Sequence, residues 1–168
     1  MYSKDERIRI FRHESNLYYS YLHKIRTTEE SLQVLVNWMN NIHSPELNDV
    51  RTEPKRIKED RMIKFLEAKD VLEDRLAELN RMVSWIRKVI DNIPFTGYRL
   101  IVWQSYVEKI PLNTLSATYE LSPKILGKNR KNALLHALTD RMMYEHDAIE
   151  AALSRAMKRK LSYKLEEQ

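Results

Sequence analysis

The sequence predicts an all-α fold: a long, coiled-coil-like antiparallel helical hairpin, then a module of short helices, then a C-terminal helical extension. Three observations carry this expectation. Glycine occurs only at Gly97 and Gly127, and there are five prolines; strands joined by tight turns need more such punctuation. Charged residues make up 32% of the chain, and the aliphatic residues among them recur at steps of three and four rather than two. The length of 168 residues suits one compact domain or a small domain joined to a helical arm.

The first helix is expected from about Asp5 to Ile42. There Tyr18, Leu22, Ile25, Leu32, Met39 and Ile42 follow alternating three- and four-residue steps, interrupted near Glu29. A polar connection from His43 to about Ile57 contains Pro45 and Pro54, and few backbones stay helical through such a pair. The second helix, about Lys58 to Ile93, has the most regular pattern. Phe65, Leu72, Leu76, Leu79, Val83, Ile86, Ile90 and Ile93 hold heptad positions, with an interruption at Lys69. So narrow a seam needs a partner helix. The first helix, folded back as an antiparallel hairpin, would meet that need; a second chain would meet it too.

Pro94 and Gly97 close the second helix and mark a boundary. The expected division is therefore 1–94 for the hairpin, 95–138 for the short-helix module and 139–168 for the extension. Within the module one helix runs from Tyr98 to about Lys109 and a second from Pro111 to Tyr119. A third opens at Ser122, whose hydroxyl can cap free N–H groups, with Pro123 suited to the first helical position. The tail from Thr139 carries Met142, Ile149, Leu153, Ala156 and Met157; it extends the third helix or adds a fourth.

Composition excludes several function classes. There is no cysteine, hence no disulfide framework and no thiolate chemistry, which suits a reducing cytosol. No apolar run approaches the ~20 residues that span a membrane, and the opening MYSKDERIRIF lacks the apolar core of a signal peptide. A cytoplasmic location is expected. The five histidines are dispersed, and His13-Glu14 is not followed by a second histidine at the spacing of a zinc peptidase. His146-Asp147 reads as a surface pair. No glycine-rich phosphate loop, glycine-flanked serine or distinct carboxylate pair occurs. The chain is expected to be no enzyme and to carry no cofactor or metal.

The informative feature is the short spacing between the second and third helices of the module. Leu115 and Leu121 flank a turn of about four residues before Ser122-Pro123 restarts the chain, the geometry of a helix-turn-helix. On a helical wheel Leu126, Ala133 and Ala137 fall together, while Lys124, Gly127, Lys128 and Lys131 fall opposite them. Between Ser122 and Asn132 the chain has Lys124, Lys128, Arg130 and Lys131 and no acid. Cations so arranged repel one another, and a polyanion would relieve that repulsion and release counterions. Gly127 costs ~1 kcal/mol against Ala inside a helix; its missing side chain would allow close approach to a DNA backbone. The bland alternatives are a solvated basic face and a glycine that merely relieves crowding.

The segment Tyr98 to Leu138, YRLIVWQSYVEKIPLNTLSATYELSPKILGKNRKNALLHAL, resembles the promoter-reading domain of bacterial sigma factors, region four, which binds the −35 element. The spacing Ser122…Leu126…Ala133-Leu134 is similar to that of its recognition helix. The likeness is greater to phage late-transcription regulators of the ArpU/RinA type, which place two long helices and a polar Ser-Pro linker before the sigma-like module. Here His43-Ser44-Pro45 takes the linker's place, and the resemblance spans about Ile8 to Leu138. It implies DNA-contacting positions at Pro123, Lys124, Gly127 and Lys128, with Asn132 at a backbone-contact position. The chain departs from the pattern at Asn129, where the family prefers an aliphatic, at Ser116, where it prefers Ala, and at Ser105, where it often has Arg. The tail beyond Leu138 lies outside the family's usual extent.

Together these give a candidate DNA-binding set of Ser122, Pro123, Lys124, Gly127, Lys128, Arg130, Lys131 and Asn132. Lys124, Lys128 and Lys131 would enter the major groove, where lysine donates to guanine; Arg130, nearer the packed edge, suits a phosphate. The expected function is a sequence-specific transcription regulator acting on double-stranded promoter or operator DNA, an activator of late genes of a phage or related element. One helix reads few bases, so a homodimer or an RNA polymerase partner is expected if specificity is high. The rival is an adaptor that binds polymerase or a sigma factor through the hairpin. Elsewhere, Arg155, Lys158, Arg159, Lys160 and Lys164 read as a solvated helix end rather than a second phosphate contact. Tyr18, Tyr19 and Tyr21, with Trp38, Trp85 and Trp103, read as packing residues rather than a base-stacking platform.

Overall fold

The computed structural model of the chain describes residues 1–42 and 55–161. The connection expected from His43 onward, with Ser44, Pro45 and Pro54, lies outside the described residues, as do Lys164 and the side chain of Ile42. Seven α-helices and no strand occur among the described residues: α1 Lys4–Asn16, α2 Tyr18–Ile42, α3 Lys55–Asp91, α4 Thr96–Val102, α5 Leu112–Tyr119, α6 Pro123–Ala137 and α7 Asp140–Lys158. A π-helical turn, Trp103–Val107, follows α4. No helix among the described residues is long and apolar enough to cross a membrane.

The single helix expected over about 5–42 is two helices. A capping box starts α1: the Ser3 hydroxyl accepts from the Glu6 N–H at 3.2 Å, and the Glu6 carboxylate accepts from the Ser3 N–H at 2.7 Å. Its end is local chemistry too. The buried Ser15 hydroxyl donates to the Phe11 carbonyl at 2.7 Å, and such back-bonding bends helices. Two residues on, the Leu17 N–H turns to the Glu14 carbonyl at 3.0 Å, only three residues back, and α2 restarts at Tyr18.

Two compact units form, and their division does not follow the boundary drawn at Pro94. The first comprises Met1–Leu22 with Arg81–Glu150. The second comprises the described parts of His23–Asn80 and Ala151–Gln168. The first unit takes α1 and the end of α3 together with the short helices because its core needs both. Trp85 is fully buried, lies 6.2 Å from the Phe11 ring and donates its indole N–H to the Met142 carbonyl at 2.8 Å. A buried indole requires such an acceptor. The buried face of α3 in this unit includes Met82, Val83, Trp85, Ile86, Val89 and Ile90, wider than a two-position seam.

In the second unit Leu35 of α2 packs with Phe65, Ala68 and Leu72 of α3, and Trp38 lies 6.0 Å from the Phe65 ring. The basic tail has a local task there. Arg159 pairs with Asp70 at 3.0 Å and with Asp74. Arg75 donates to the carbonyls of Ala156 at 3.3 Å and Arg159 at 2.6 Å, covering acceptors at the C-terminal end of α7.

Candidate nucleic-acid interface

The short helices of the first unit pack through Ile101, Leu115 and Leu126, with Tyr98, Ile110, Leu112 and Tyr119 around them. Glu120 ends α5 in the left-handed region, at φ 55°. Ser116 then pins the turn: its carbonyl accepts from the Leu121 N–H at 3.2 Å and its hydroxyl donates to the Leu121 carbonyl. Ser122 caps α6 as expected, accepting from the Ile125 N–H at 3.2 Å, and Pro123 holds the first helical position. The turn is thus fixed at both ends by serine hydroxyls.

Leu126, Ala133, Leu134 and Ala137 are the buried residues of α6. At 100° per residue the exposed arc opposite them is centred on Lys128, with Lys124, Ile125, Lys131 and Asn132 beside it. No acidic residue lies on this helix. The exposed Ile125 was not among the residues singled out from sequence; an isolated aliphatic in a basic run has no periodic signal to mark it.

Three members of the candidate set have partners that a helical wheel does not show. Gly127 is half-buried and faces α5; a Cβ there would meet the Leu112 side chain at 3.4 Å. It lies at the edge of the exposed arc rather than on it. Lys131 is exposed, but its ammonium is held by Asp5 of α1 at 2.9 Å. That bond and its charge keep the Asp5 carboxyl below its usual range. Arg130 points back into the unit, its guanidinium 4.8 Å from the centre of the Tyr106 ring. Ser122, Pro123, Lys124, Lys128 and Asn132 are exposed.

Two departures from the sigma-like pattern have local reasons. The Asn129 amide donates to the Tyr98 hydroxyl at 2.8 Å, tying α6 to α4. Ser116 is required by the turn just described. The Ser105 hydroxyl makes only a long bond to the Val102 carbonyl, 3.4 Å.

Helix α1 buttresses α6. Arg7 donates to the Leu138 carbonyl at 2.8 Å and pairs with Asp140. A cation thus meets the C-terminal end of α6 while the carboxylate it holds opens α7, both favourable for the helix dipoles. Below this sits a buried cluster. His146, expected on the surface, is 2% exposed and lies 4.8 Å from the Trp85 ring. Its Nε2 is 3.6 Å from the Glu14 carboxylate, and its Nδ1 is 3.1 Å from Asp147. Glu14, 3% exposed, also accepts from the Tyr21 hydroxyl at 2.6 Å. Burial pulls His146 toward the neutral form, yet Glu14 and Asp147 outweigh it and hold its pKa above the ordinary value. For Glu14, burial raises the pKa, and the His146 and Tyr21 contacts outweigh it to leave the pKa lowered. His146 went unrecognised because one histidine followed by one aspartate reads as solvated unless its contacts are known.

The chain matches no protein-family model, no curated protein and no solved structure.

Proposed function

We propose that the chain is a non-enzymatic, sequence-specific DNA-binding regulator that sets α6 into the major groove of a promoter or operator, with α5, the turn and α6 acting as a helix-turn-helix. The observation that carries this is the exposed arc of α6: Lys124, Lys128 and Asn132 project from a helix without acids. Lysines there donate to guanine O6 and N7, Asn132 contacts the backbone, and Ile125 meets a thymine methyl. Ser122 fixes the approach of the helix by its cap, and Pro123 offers only apolar contact. Lys131 joins the interface by exchanging Asp5 for a phosphate or a base. Gly127 serves packing.

The likeness to sigma region four and to ArpU/RinA-type regulators supports the same assignment, with a hairpin of α2 and α3 preceding the module, a cytoplasmic location and late-gene activation as the role. The test is competition. The protein is titrated against tiled fragments of its genomic neighbourhood in excess random DNA, and one fragment is expected to win by about a thousandfold or more. If none does, the chain is not a specific reader.

A second reading is favoured by one observation: Ile57, Ile63 and Leu66 on α3 are about half exposed. In that reading the long helices bind RNA polymerase or a sigma factor and the chain is an adaptor. Polymerase capture that survives Lys124→Glu with Lys128→Glu, but not Ile63→Lys with Leu66→Lys, is its expected result.

A further inference from the structure

The first unit contains a cleft of about 350 Å³ that meets α6 at Arg130, away from the exposed arc. Arg12 of α1, Lys109 after the π-helical turn and Arg130 of α6 line it, with Asn16, Ser105 and Tyr106. None of its lining residues is acidic. The adjacent Glu108 is engaged elsewhere, accepting from the Trp103 indole at 3.1 Å.

These cations are held together at a cost. Both guanidiniums lie over one ring, Arg130 at 4.8 Å and Arg12 at 5.8 Å from the centre of Tyr106. The ring face offsets part of their mutual repulsion but neutralises neither charge. The Arg130 Nε is buried without a hydrogen-bond partner, a donor that burial ordinarily requires to be satisfied. Lys109 is one of only two non-glycine residues with positive φ among those described, at 58°. That conformation lets the Ile110 N–H reach the Gln104 carbonyl at 2.9 Å, and Pro111 then leads directly into α5. The start of α5, which has no side-chain cap, lies at the same cleft through Pro111 and Leu112, and a helix N-terminus carries positive dipole charge.

We propose that this cleft is a phosphate-binding site, in which Arg12, Lys109 and Arg130 take a phosphoryl group. Guanidinium forks match phosphate oxygens in bidentate geometry, and Asn16 and Ser105 line the same space with neutral polar side chains. A phosphoryl group reaches the cleft either as a phosphate of a nucleic-acid backbone lying along α6 or as a free small anion. The site uses residues outside the exposed arc, so it stands whether or not α6 reads bases.

The experiment has two arms on the full chain. In the first, inorganic phosphate and pyrophosphate are titrated by calorimetry against chloride at matched ionic strength. In the second, the salt dependence of duplex DNA binding is measured. The variants are Arg12→Gln, which is exposed and safe for folding, Arg130→Lys, which keeps charge but loses the fork, and Lys128→Gln as a control outside the cleft. Saturable phosphate binding that weakens about tenfold in Arg12→Gln and Arg130→Lys, but not in Lys128→Gln, supports the site. If the DNA salt slope of Arg12→Gln also falls by about one, the phosphate is the nucleic-acid backbone's; if it does not, the ligand is a free anion. A reduced slope without binding of the free anions also assigns the site to the backbone. No saturable phosphate binding with an unchanged slope overturns the proposal, as does phosphate binding that the cleft variants leave intact. Should the chain bind no DNA, the first arm alone decides.

Discussion

Replacing Glu14 with Gln should destabilise the first unit and remove part of its pH dependence. The Glu14 and His146 side chains are almost fully buried, 3.6 Å apart. Two unit charges at that distance attract by about 4–5 kcal/mol at an effective dielectric near 20, and desolvation cancels much of this. Removing one partner of a buried pair typically costs about 3–5 kcal/mol, but His146 keeps Asp147 at 3.1 Å. His146 can escape by shedding its proton, so we expect the lower end, about 3 kcal/mol, or roughly 6–12 °C in Tm for a chain of this size. The sign with pH follows from the two shifts. The raised His146 pKa gives stability that is present at low pH and lost as pH rises through that value. The lowered Glu14 pKa gives stability present above its unfolded value and lost as pH falls through the folded one. The gap in Tm between wild type and Glu14→Gln should therefore be widest in weak acid and narrow on the alkaline side. Thermal melts by circular dichroism across this range measure it. A variant as stable as wild type in weak acid, or a gap that does not change with pH, would refute the reasoning.

Other outcomes are expected. Gly127→Ala should stabilise the chain by up to ~1 kcal/mol through helix propensity, since its Cβ would make only van der Waals contact with Leu112; DNA affinity should not change, and a drop would show that the glycine admits the DNA backbone. Asn129→Ala and Tyr98→Phe should each cost about 1 kcal/mol in denaturant melts, with a coupling of similar size in the double-mutant cycle. Additive losses would mean that their hydrogen bond contributes nothing. Trp85→Phe should cost roughly 2–3 kcal/mol, combining lost volume with an orphaned Met142 carbonyl; a loss under about 1 kcal/mol would contradict the packing described.

Most helices were legible because their signals are local. The Ser122-Pro123 start, the stop near Pro94 and the buried positions Leu126, Ala133 and Ala137 depend on spacing and caps alone. The break at Leu17 was hidden, since the three-and-four pattern runs on through it and the Ser15 bond to Phe11 has no periodic signature. The π-helical turn was likewise invisible within the apolar run from Tyr98. The division into units failed for another reason. Pro94 ends a helix, but Trp85 and Phe11 show that a helix end need not be a core boundary.

The candidate site was legible as composition and less so as geometry. A wheel finds Lys124 and Lys128, yet it cannot tell that Lys131 is held by Asp5, that Arg130 lies on Tyr106, or that Gly127 abuts Leu112. Each depends on a partner far away in sequence. Arg12 had no reason to stand out among the cations of α1 until folding brought it to the same ring as Arg130.

The most direct test of the account is the affinity of wild type and of Lys124→Glu with Lys128→Glu for the preferred genomic fragment and for random DNA, measured across salt. Wild type is expected to prefer the fragment by about a thousandfold or more, and the double variant to lose this preference together with roughly two units of salt slope. Equal binding to every sequence by wild type, with affinity unchanged in the double variant, would contradict it.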